Sequence, residues 1–171
     1  MQISDFKTDV FNIFDKRWAL VTASDGARTN SMTVSWGTMG TIWGKATKGL
    51  PIVTVFINPK RFTYGILERA ELFTVSFYGE EHRHALSLMG SRSGRDGDKL
   101  HGTGLTPLQD GQFHTYKEAE LTFECRKIFA QPLERCRIPE ELASQFYAPG
   151  DQAHCMFIGK VERILEGSSR S

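Results

Sequence analysis

Cysteine is scarce in this chain of 171 residues, which contains only Cys125, Cys136 and Cys155. None of the three stands in the C-x-x-C spacing of a zinc site or a redox pair. An odd number of thiols without such a pair indicates reduced side chains that are mostly packed, rather than a disulfide framework. We therefore predict that the protein has no metal site.

Long apolar runs and an excess of charge are also missing. No segment reaches the roughly 18 apolar residues of a membrane helix. Residues 1–5 lack the basic patch, followed by an apolar stretch, that is typical of a signal peptide, so we expect none. The formal net charge is +1, so bulk electrostatics favour neither nucleic acid nor a membrane as partner. We expect a cytoplasmic protein that binds neither.

Signatures of covalent hydrolysis and of nucleotide binding are absent or incomplete. Residues 40–45 (GTIWGK) resemble a phosphate-binding loop, but one residue is missing between the glycines, and Ala46 replaces the serine or threonine that binds magnesium. The sequence contains no Gly-x-Ser-x-Gly elbow and no G-x-G-x-x-G fingerprint of dinucleotide-binding folds. Hydrolase chemistry therefore has no support.

The residues that are present indicate one ordinary globular domain. Hydrophobic residues make up 40% and charged residues 24% of the chain, as in typical globular proteins. The 12 phenylalanines favour a core built from strands. We interpret residues 1–171 as a single domain, in which residues 1–14 form a lead-in and residues 166–171 a frayed tail.

Hydrophobic patterning predicts about six strands and three short helices. Strands are predicted at residues 18–23, 30–36, 52–57, 72–78, 118–125 and 155–165, and helices at residues 58–70, 80–89 and 139–147. Residues 37–50 are rich in glycine and are predicted to form a loop. Strict alternation over residues 118–125 predicts a half-buried strand. Together these elements favour a mostly β, antiparallel, Greek-key-like barrel over a doubly wound α/β sheet.

Three polar segments follow apolar elements, at residues 29–37, 58–64 and 91–99. The first carries amide and hydroxyl groups along a strand. The second is predicted to begin a helix capped by Asn58, with Arg61 and Thr63 in its first turn, where free N–H groups attract phosphate. The third surrounds Gly94 with donors that include Lys99. A solvated surface loop would explain the third segment equally well. A surface ion pair would explain Arg61 equally well.

Five segments in this order resemble the flavin reductase and flavoredoxin family, the FMN-binding split barrels. They are NSMTVSW at residues 30–36, NPKRFTY at residues 58–64, FTVSF at residues 73–77, SGRDGDKL at residues 93–100 and HCMFIGKV at residues 154–161. The match covers roughly residues 15–165. One departure is the segment 42–50, which is longer than the corresponding family loop and alters the nicotinamide side of the expected pocket.

The resemblance implies an FMN site made from these segments. The isoalloxazine ring would be lined by the strand residues Asn30, Ser31, Met32, Thr33, Val34, Ser35 and Trp36. Arg61 and Thr63 would hold the phosphate with help from Ser93 and Lys99, and Asn58 would lie near the ring or the ribityl chain. The family also pairs its barrels, so the resemblance implies a homodimer with the flavin near the interface.

The resemblance further implies an NAD(P)H-dependent flavin reductase. Hydride would pass from NAD(P)H to the N5 atom of the flavin, and electrons would then pass to an acceptor. A redox protein is one candidate for this acceptor. Because this chemistry belongs to the flavin, we expect no catalytic side chain. Two alternatives remain: a flavoredoxin-like FMN electron carrier that does not oxidise NAD(P)H directly, and a split-barrel binding module that has lost flavin.

Overall fold

The computed structural model describes residues 1–95 and 97–167. It contains nine strands: β1 Ala19–Ser24, β2 Thr29–Val34, β3 Gly37–Ile42, β4 Leu50–Ile57, β5 Leu72–Phe77, β6 Pro107–Asp110, β7 Phe113–Tyr116, β8 Leu121–Pro132 and β9 Cys155–Glu166. It contains four α-helices: α1 Asn12–Asp15, α2 Phe62–Arg69, α3 Arg83–Ser91 and α4 Glu140–Phe146.

Seven of the strands form one antiparallel sheet with the order β2-β1-β5-β8-β9-β4-β3. The two edge strands, β2 and β3, are consecutive in the chain and are joined by Ser35 and Trp36 alone. One extended stretch therefore runs from one edge of the curved sheet to the other without closing it. This confirms the predicted split barrel, which is mostly β and has a few short helices.

The six predicted strands are all found, and β4 has a partner on each side, as its doubly apolar pattern indicated. The loop predicted at residues 37–50 is wrong for its first part, because Gly37–Ile42 is strand β3. Its glycines disfavour a strand, but the pairing of all six residues of β3 with β4 outweighs this low intrinsic preference. The β6–β7 hairpin was also not predicted, since its strands are only four residues long.

The prediction that residues 118–125 form a half-buried strand is wrong for the part that lies in β8, residues 121–125, all of which are buried. Thr122 and Glu124, placed on the solvent face by the alternation, are fully buried, because the β6–β7 hairpin covers that face of the sheet. The Ser76 hydroxyl lies 2.9 Å from those of Thr115 and Thr122. The Glu124 carboxylate accepts a hydrogen bond from Arg163. The hairpin thus buries the polar face of the first five residues of β8, whose other face packs into the core.

Helix α2 begins four residues later than predicted. Asn58 caps a turn instead of the helix, since its side-chain Oδ1 accepts the Lys60 N–H at 2.9 Å and its carbonyl accepts the Arg61 N–H at 2.9 Å. Arg61 therefore occupies the N-cap position. At the other end, the Lys127 ammonium donates to the carbonyls of Leu67 and Glu68 and stabilises the C-terminus of α2.

Phenylalanines dominate the main core, as the composition indicated. Phe73, Phe77, Phe123 and Phe157 are among its largest fully buried side chains. All three cysteines are free; Cys125 and Cys155 are buried and Cys136 is exposed. In the described residues, none of the helices has the length and apolar character needed to span a membrane. β9 continues to Glu166, and most of the predicted tail, residues 168–171, lies outside the described residues.

Candidate functional site

A cavity of about 540 Å³ opens where β2, the start of α2 and the loop at residues 92–101 meet. This volume lies in the range of small-molecule sites. The first half of β2 contributes Asn30 and Ser31, α2 contributes Phe62, the hairpin contributes Tyr116, and the loop contributes Lys99. The structure therefore brings together all three polar segments that the sequence singled out.

Side chains of β2 divide between the cavity, the core and the sheet surface. Met32 and Val34 pack into the main core, so only their backbone is available to a ligand. The Ser31 hydroxyl is buried and lies 2.8 Å from both the Thr22 hydroxyl and the Tyr116 hydroxyl. The Thr33 hydroxyl donates to the Leu86 carbonyl of α3 and does not line the cavity.

Asn30 and Thr63 join β2 to α2 at the cavity wall. The Asn30 amide donates to the Thr63 hydroxyl at 2.7 Å, and Thr63 is only 1% exposed. Gly94 of the loop approaches both segments closely. A Cβ atom at this position would lie 2.5 Å from a Phe62 ring carbon and 2.6 Å from Asn30 Oδ1. Any larger residue at Gly94 would therefore push the loop away from the wall.

The loop is fastened by cations that bind main-chain carbonyls. Lys99 is buried, and its ammonium donates to the carbonyls of Ser31 and Met89, each at 2.8 Å. Arg61 donates to the Gly90 carbonyl at 3.0 Å, and Arg95 donates to the Lys60 carbonyl at 3.4 Å. Backbone carbonyls orient these groups without neutralising their charge.

Among the described residues, the acidic side chain that lines this cavity is that of Asp98, whose Oδ1 accepts the Leu100 N–H. Within residues 1–95 and 97–167, no ion pair involves Arg28, Arg61, Arg95 or Lys99. The guanidinium groups of Arg28 and Arg95 lie over the Phe62 ring, 6.0 and 5.5 Å from its centroid. We call these four residues the cation cluster. Such a cluster beside a cavity suits an anionic group such as phosphate.

Burial sets the protonation behaviour of Lys99. Desolvation, followed by the positive charge of Arg61, lowers the pKa of Lys99 to about 8. The ammonium form therefore prevails at neutral pH but is lost in mildly alkaline solution. A bound anion would oppose both causes of this pKa shift.

A second group of side chains lies close enough to Arg61 for its charge to act on one of them, His154. The Trp36 ring centroid is 5.2 Å from that of Phe146 in α4 and 4.5 Å from that of His154. His154 Nδ1 lies 2.9 Å from the Tyr147 hydroxyl. Burial, and then the charge of Arg61, lowers the pKa of His154, so its imidazole is neutral at neutral pH.

We call Trp36, Phe146 and His154 the aromatic patch. Trp36 and Phe146 are 38% and 55% exposed, so the patch presents ring faces to solvent. Ser35 is exposed beside it. Ser93 is half-buried, and its hydroxyl accepts the Arg95 N–H at 3.2 Å. Of the twelve residues expected at the site, only Asn30, Ser31 and Lys99 line the cavity itself.

Sequence reasoning did not select several residues of this region, among them Arg28, which precedes β2. Tyr116 lies on a hairpin that the sequence did not reveal, and Phe146 lies on a predicted helix with no chemical signal. His154 opens the quoted segment HCMFIGKV, so its position was available, but nothing in the pattern indicated that it contacts Trp36.

The fold and the site define a split barrel with a cationic cavity at one edge strand and an aromatic patch nearby. The family described as the flavin reductase like domain matches residues 11–171, and the chain belongs to this family. The resemblance drawn from the five segments is therefore confirmed. A search of curated proteins finds no match.

Solved structures of similar fold carry flavin-related names. An FMN-binding protein from Thermus thermophilus aligns with a TM-score of 0.67 and 22% identity, over 98% of this chain and 82% of that one. A flavoredoxin from Methanosarcina acetivorans aligns with a TM-score of 0.63 and 20% identity, over 97% and 76%. An NADH:FAD oxidoreductase from Streptomyces globisporus aligns with a TM-score of 0.62 and 17% identity, over 90% and 77%. At these identities the likeness establishes the fold.

Proposed function

We propose that this protein binds FMN and acts as a flavin reductase, taking hydride from NAD(P)H and passing electrons to an acceptor. The observation that carries this proposal is the cation cluster beside the cavity. Arg28, Arg95 and Lys99 line the cavity, and Arg61, Arg95 and Lys99 donate to main-chain carbonyls. Membership of the flavin reductase like family and the names of the structural relatives support the same ligand class.

The residues of the cavity fit a phosphate-bearing flavin. Lys99 is a buried ammonium whose described hydrogen bonds go to two uncharged carbonyls, so a phosphate would add the negative charge that these partners do not carry. Arg95 and Arg28 flank Phe62 and would bind phosphate oxygens through planar N–H pairs. Gly94 allows the loop to close against this group.

The rest of β2 would hold the ring system. Asn30 is oriented by Thr63, which fixes where its amide oxygen and nitrogen point. Exposed backbone and side chains of Ser35 and Trp36 lie further along the same stretch. The aromatic patch would stack against a flat ring and exclude water from one of its faces.

When bound, the flavin would supply the hydride and electron chemistry, and the protein would bind, orient and shield it. We accordingly assign no catalytic side chain. His154, hydrogen-bonded to Tyr147 and packed against Trp36, belongs to the aromatic patch and not to the cation cluster. The sequence and the site do not separate NADH from NADPH, so both donors enter the test.

The test is titration with FMN, followed by NADH and NADPH oxidation assays with and without added FMN. We expect saturable FMN binding and oxidation of at least one nucleotide. FMN binding without oxidation of either nucleotide, but with rapid reduction by a reduced redox protein, would instead establish the flavoredoxin-like carrier. A colourless protein that binds no FMN would overturn the proposal.

The paired variants Asn30→Leu and Thr33→Val locate the ligand along β2. Asn30 lines the cavity, whereas the Thr33 hydroxyl is directed to Leu86. Asn30→Leu should weaken FMN binding about tenfold, the cost of one or two lost hydrogen bonds, while Thr33→Val should leave it nearly unchanged. Equal effects of both substitutions, in proteins that remain folded, would place the ligand elsewhere.

A further inference from the structure

The long connection between β8 and β9, residues 133–154, has a small core of its own. We call it the β8–β9 segment. None of the buried side chains of the main core belongs to this small core. It consists of apolar side chains of the segment itself: Leu133, Ile138, Ala143, Tyr147 and Ala153. A connection that is packed by its own side chains is a separate structural unit on the surface of the sheet.

The hydrogen bonds of the β8–β9 segment are internal as well. The ladder of β8 and β9 ends at Pro132 and Cys155, and the Leu133 N–H donates to the His154 carbonyl at 2.9 Å just beyond it. Within the described part of the chain, the other hydrogen bonds of the segment also join two of its own residues, with one exception described below. Pro132 is exposed. The segment is thus attached to the sheet by a narrow, exposed base.

The exception is an ion pair between Asp151 and the barrel. The Lys60 ammonium donates to Asp151 Oδ1 at 2.7 Å. Asp151 ends a tight turn at residues 148–151, in which Gly150 has a φ of 85° and the Asp151 N–H donates to the Ala148 carbonyl at 2.9 Å. Proline followed by glycine, as in Pro149 and Gly150, is typical of a type II turn. This turn orients the carboxylate without help from other elements.

Lys60 connects the β8–β9 segment to the cation cluster. It lies in the turn before α2, where its N–H donates to Asn58 Oδ1 at 2.9 Å, and it directly precedes Arg61. Its carbonyl accepts a hydrogen bond from Arg95 at 3.4 Å. The ammonium of Lys60 therefore contacts the segment, while its backbone contacts the loop that lines the cavity.

The β8–β9 segment also supplies two rings of the aromatic patch. Phe146 and His154 belong to the segment, whereas Trp36 lies between β2 and β3. The ring planes of Phe146 and Trp36 meet at 87°. Phe146 is 55% exposed, and Leu142, one helical turn earlier, is 46% exposed. Because rings this exposed bury little area, the ion pair of Lys60 and Asp151 is the directional contact between the segment and the barrel.

We propose that the β8–β9 segment is a lid that moves as one unit over the aromatic patch, and that the ion pair of Lys60 and Asp151 is the latch that holds it closed. When the ion pair breaks, the segment turns about its base and carries Phe146 away from Trp36. When it forms, Phe146 returns and the turn next to Arg61 is held in place. Lys60 and Asp151 are therefore positioning residues.

The motion rests on the contacts of the segment alone, whereas its role in ligand access rests on the proposed function. The flavin ring and the hydride donor are proposed to lie against the aromatic patch, so an open lid admits them and a closed lid excludes water. An exposed ion pair shifts an equilibrium by about two- to fivefold. The latch is therefore strong enough to favour the closed lid and weak enough to open.

The distance between two spin labels tests the motion on protein without flavin. Cys136 is exposed in the β8–β9 segment, whereas Cys125 and Cys155 are buried, so one label on Cys136 and one on Lys117→Cys report the position of the segment. Native protein should show one main distance. Asp151→Asn should raise the population of a second distance about threefold, and Asp151→Lys about tenfold, because like charges then repel.

Two further variants separate the latch from a general effect of charge. Glu140→Gln is the matched control, because it also removes one carboxylate from the segment but its partner, Arg135, lies in the segment itself. It should leave the distances unchanged. Lys60→Glu combined with Asp151→Lys rebuilds the pair in reverse and should restore the native distribution. Native distances in Asp151→Lys, or no restoration by the reversed pair, would overturn the latch.

Stopped-flow measurement of FMN binding tests whether the lid controls access. If the ligand enters and leaves through an open lid, Asp151→Asn should raise the association and dissociation rate constants by the same factor, about threefold. The dissociation constant should then stay nearly unchanged, and Glu140→Gln should alter neither rate. A merely structural ion pair would raise dissociation alone, and that result would reject the role in access. If FMN does not bind at all, the proposed function fails while the spin-label distances still decide the motion.

Discussion

Strands β2 and β3 are two halves of one extended stretch, yet the protein uses them differently. On β2, polar groups are buried and satisfied: Ser31 by Thr22 and Tyr116, and its carbonyl by Lys99. On β3, small and polar residues face solvent along an open edge. Polar residues in a strand therefore mark a candidate ligand site only where other elements converge on them.

The largest effect expected from this contrast follows from Lys99→Met. The variant keeps the side-chain length but removes the ammonium that joins Ser31 and Met89, so two carbonyls lose a charged donor. We predict a loss of about 2 kcal/mol in the free energy of unfolding and about 100-fold in FMN affinity. Urea unfolding and FMN titration measure the two quantities.

Lys117→Met is the control for this variant, because it removes the same charge from an exposed position. It should change neither quantity. If Lys99→Met bound FMN as tightly as native protein, the cation cluster would not be a phosphate site.

Two glycines provide the next test, Gly94 in the loop that packs against β2 and Gly40 on β3. Gly94→Ala places a methyl group against Phe62 and Asn30, whereas Gly40→Ala on β3 places one in open space. We predict that Gly94→Ala weakens FMN binding about 30-fold by displacing the loop, since displacement of this kind costs one to three kcal/mol. Gly40→Ala should have no effect on FMN binding. Similar titration curves for both variants would contradict the close approach of the loop.

Hydroxyl groups on the two strands should contribute unequally to stability. Ser31→Ala removes a buried hydroxyl that contacts Thr22 and Tyr116, and we predict a loss of about 1 kcal/mol in the free energy of unfolding. Thr38→Ala removes an exposed hydroxyl of β3 and should cost at most about 0.5 kcal/mol. Thermal or urea unfolding measures both losses in the free energy of unfolding. A larger loss for Thr38→Ala than for Ser31→Ala would contradict the comparison.

The last expected effect is a dependence on pH. The folded protein lowers the pKa of Lys99 to about 8 from its ordinary value of 10.5. Between these values the unfolded chain binds more protons, so the contribution of Lys99 to the free energy of unfolding should rise with pH. FMN affinity should fall over the same interval, because the cation is lost. Lys99→Met should flatten both profiles, and profiles unchanged by that substitution would assign the dependence to another group.

Much of the fold was predictable because apolar periodicity dominates β1, β4, β5 and β9. The failures share a cause that lies outside any local window. Strand β3 is defined by its pairing with β4, although its glycines favour a loop. Glu124 is buried because a distant hairpin covers it and Arg163 pairs with it. Neither the pairing of β3 nor the burial of Glu124 can be read from the neighbouring residues in the sequence.

The candidate site was predictable in part. Asn30, Arg61, Thr63 and Lys99 were selected from their residue types, and the structure brings them together. Their contacts could not be predicted, because Lys99 binds carbonyls of β2 and α3 that are remote in sequence. The division of β2 between cavity and core also depends on how α2 and α3 pack against it.

The central claim is that the cation cluster binds the phosphate of a flavin. The most direct test compares the dissociation constants of FMN and riboflavin, which share the ring and ribityl chain and differ in the phosphate. Two or three charged hydrogen bonds should make FMN bind about 100-fold or more tightly. Equal affinities for FMN and riboflavin would contradict the account.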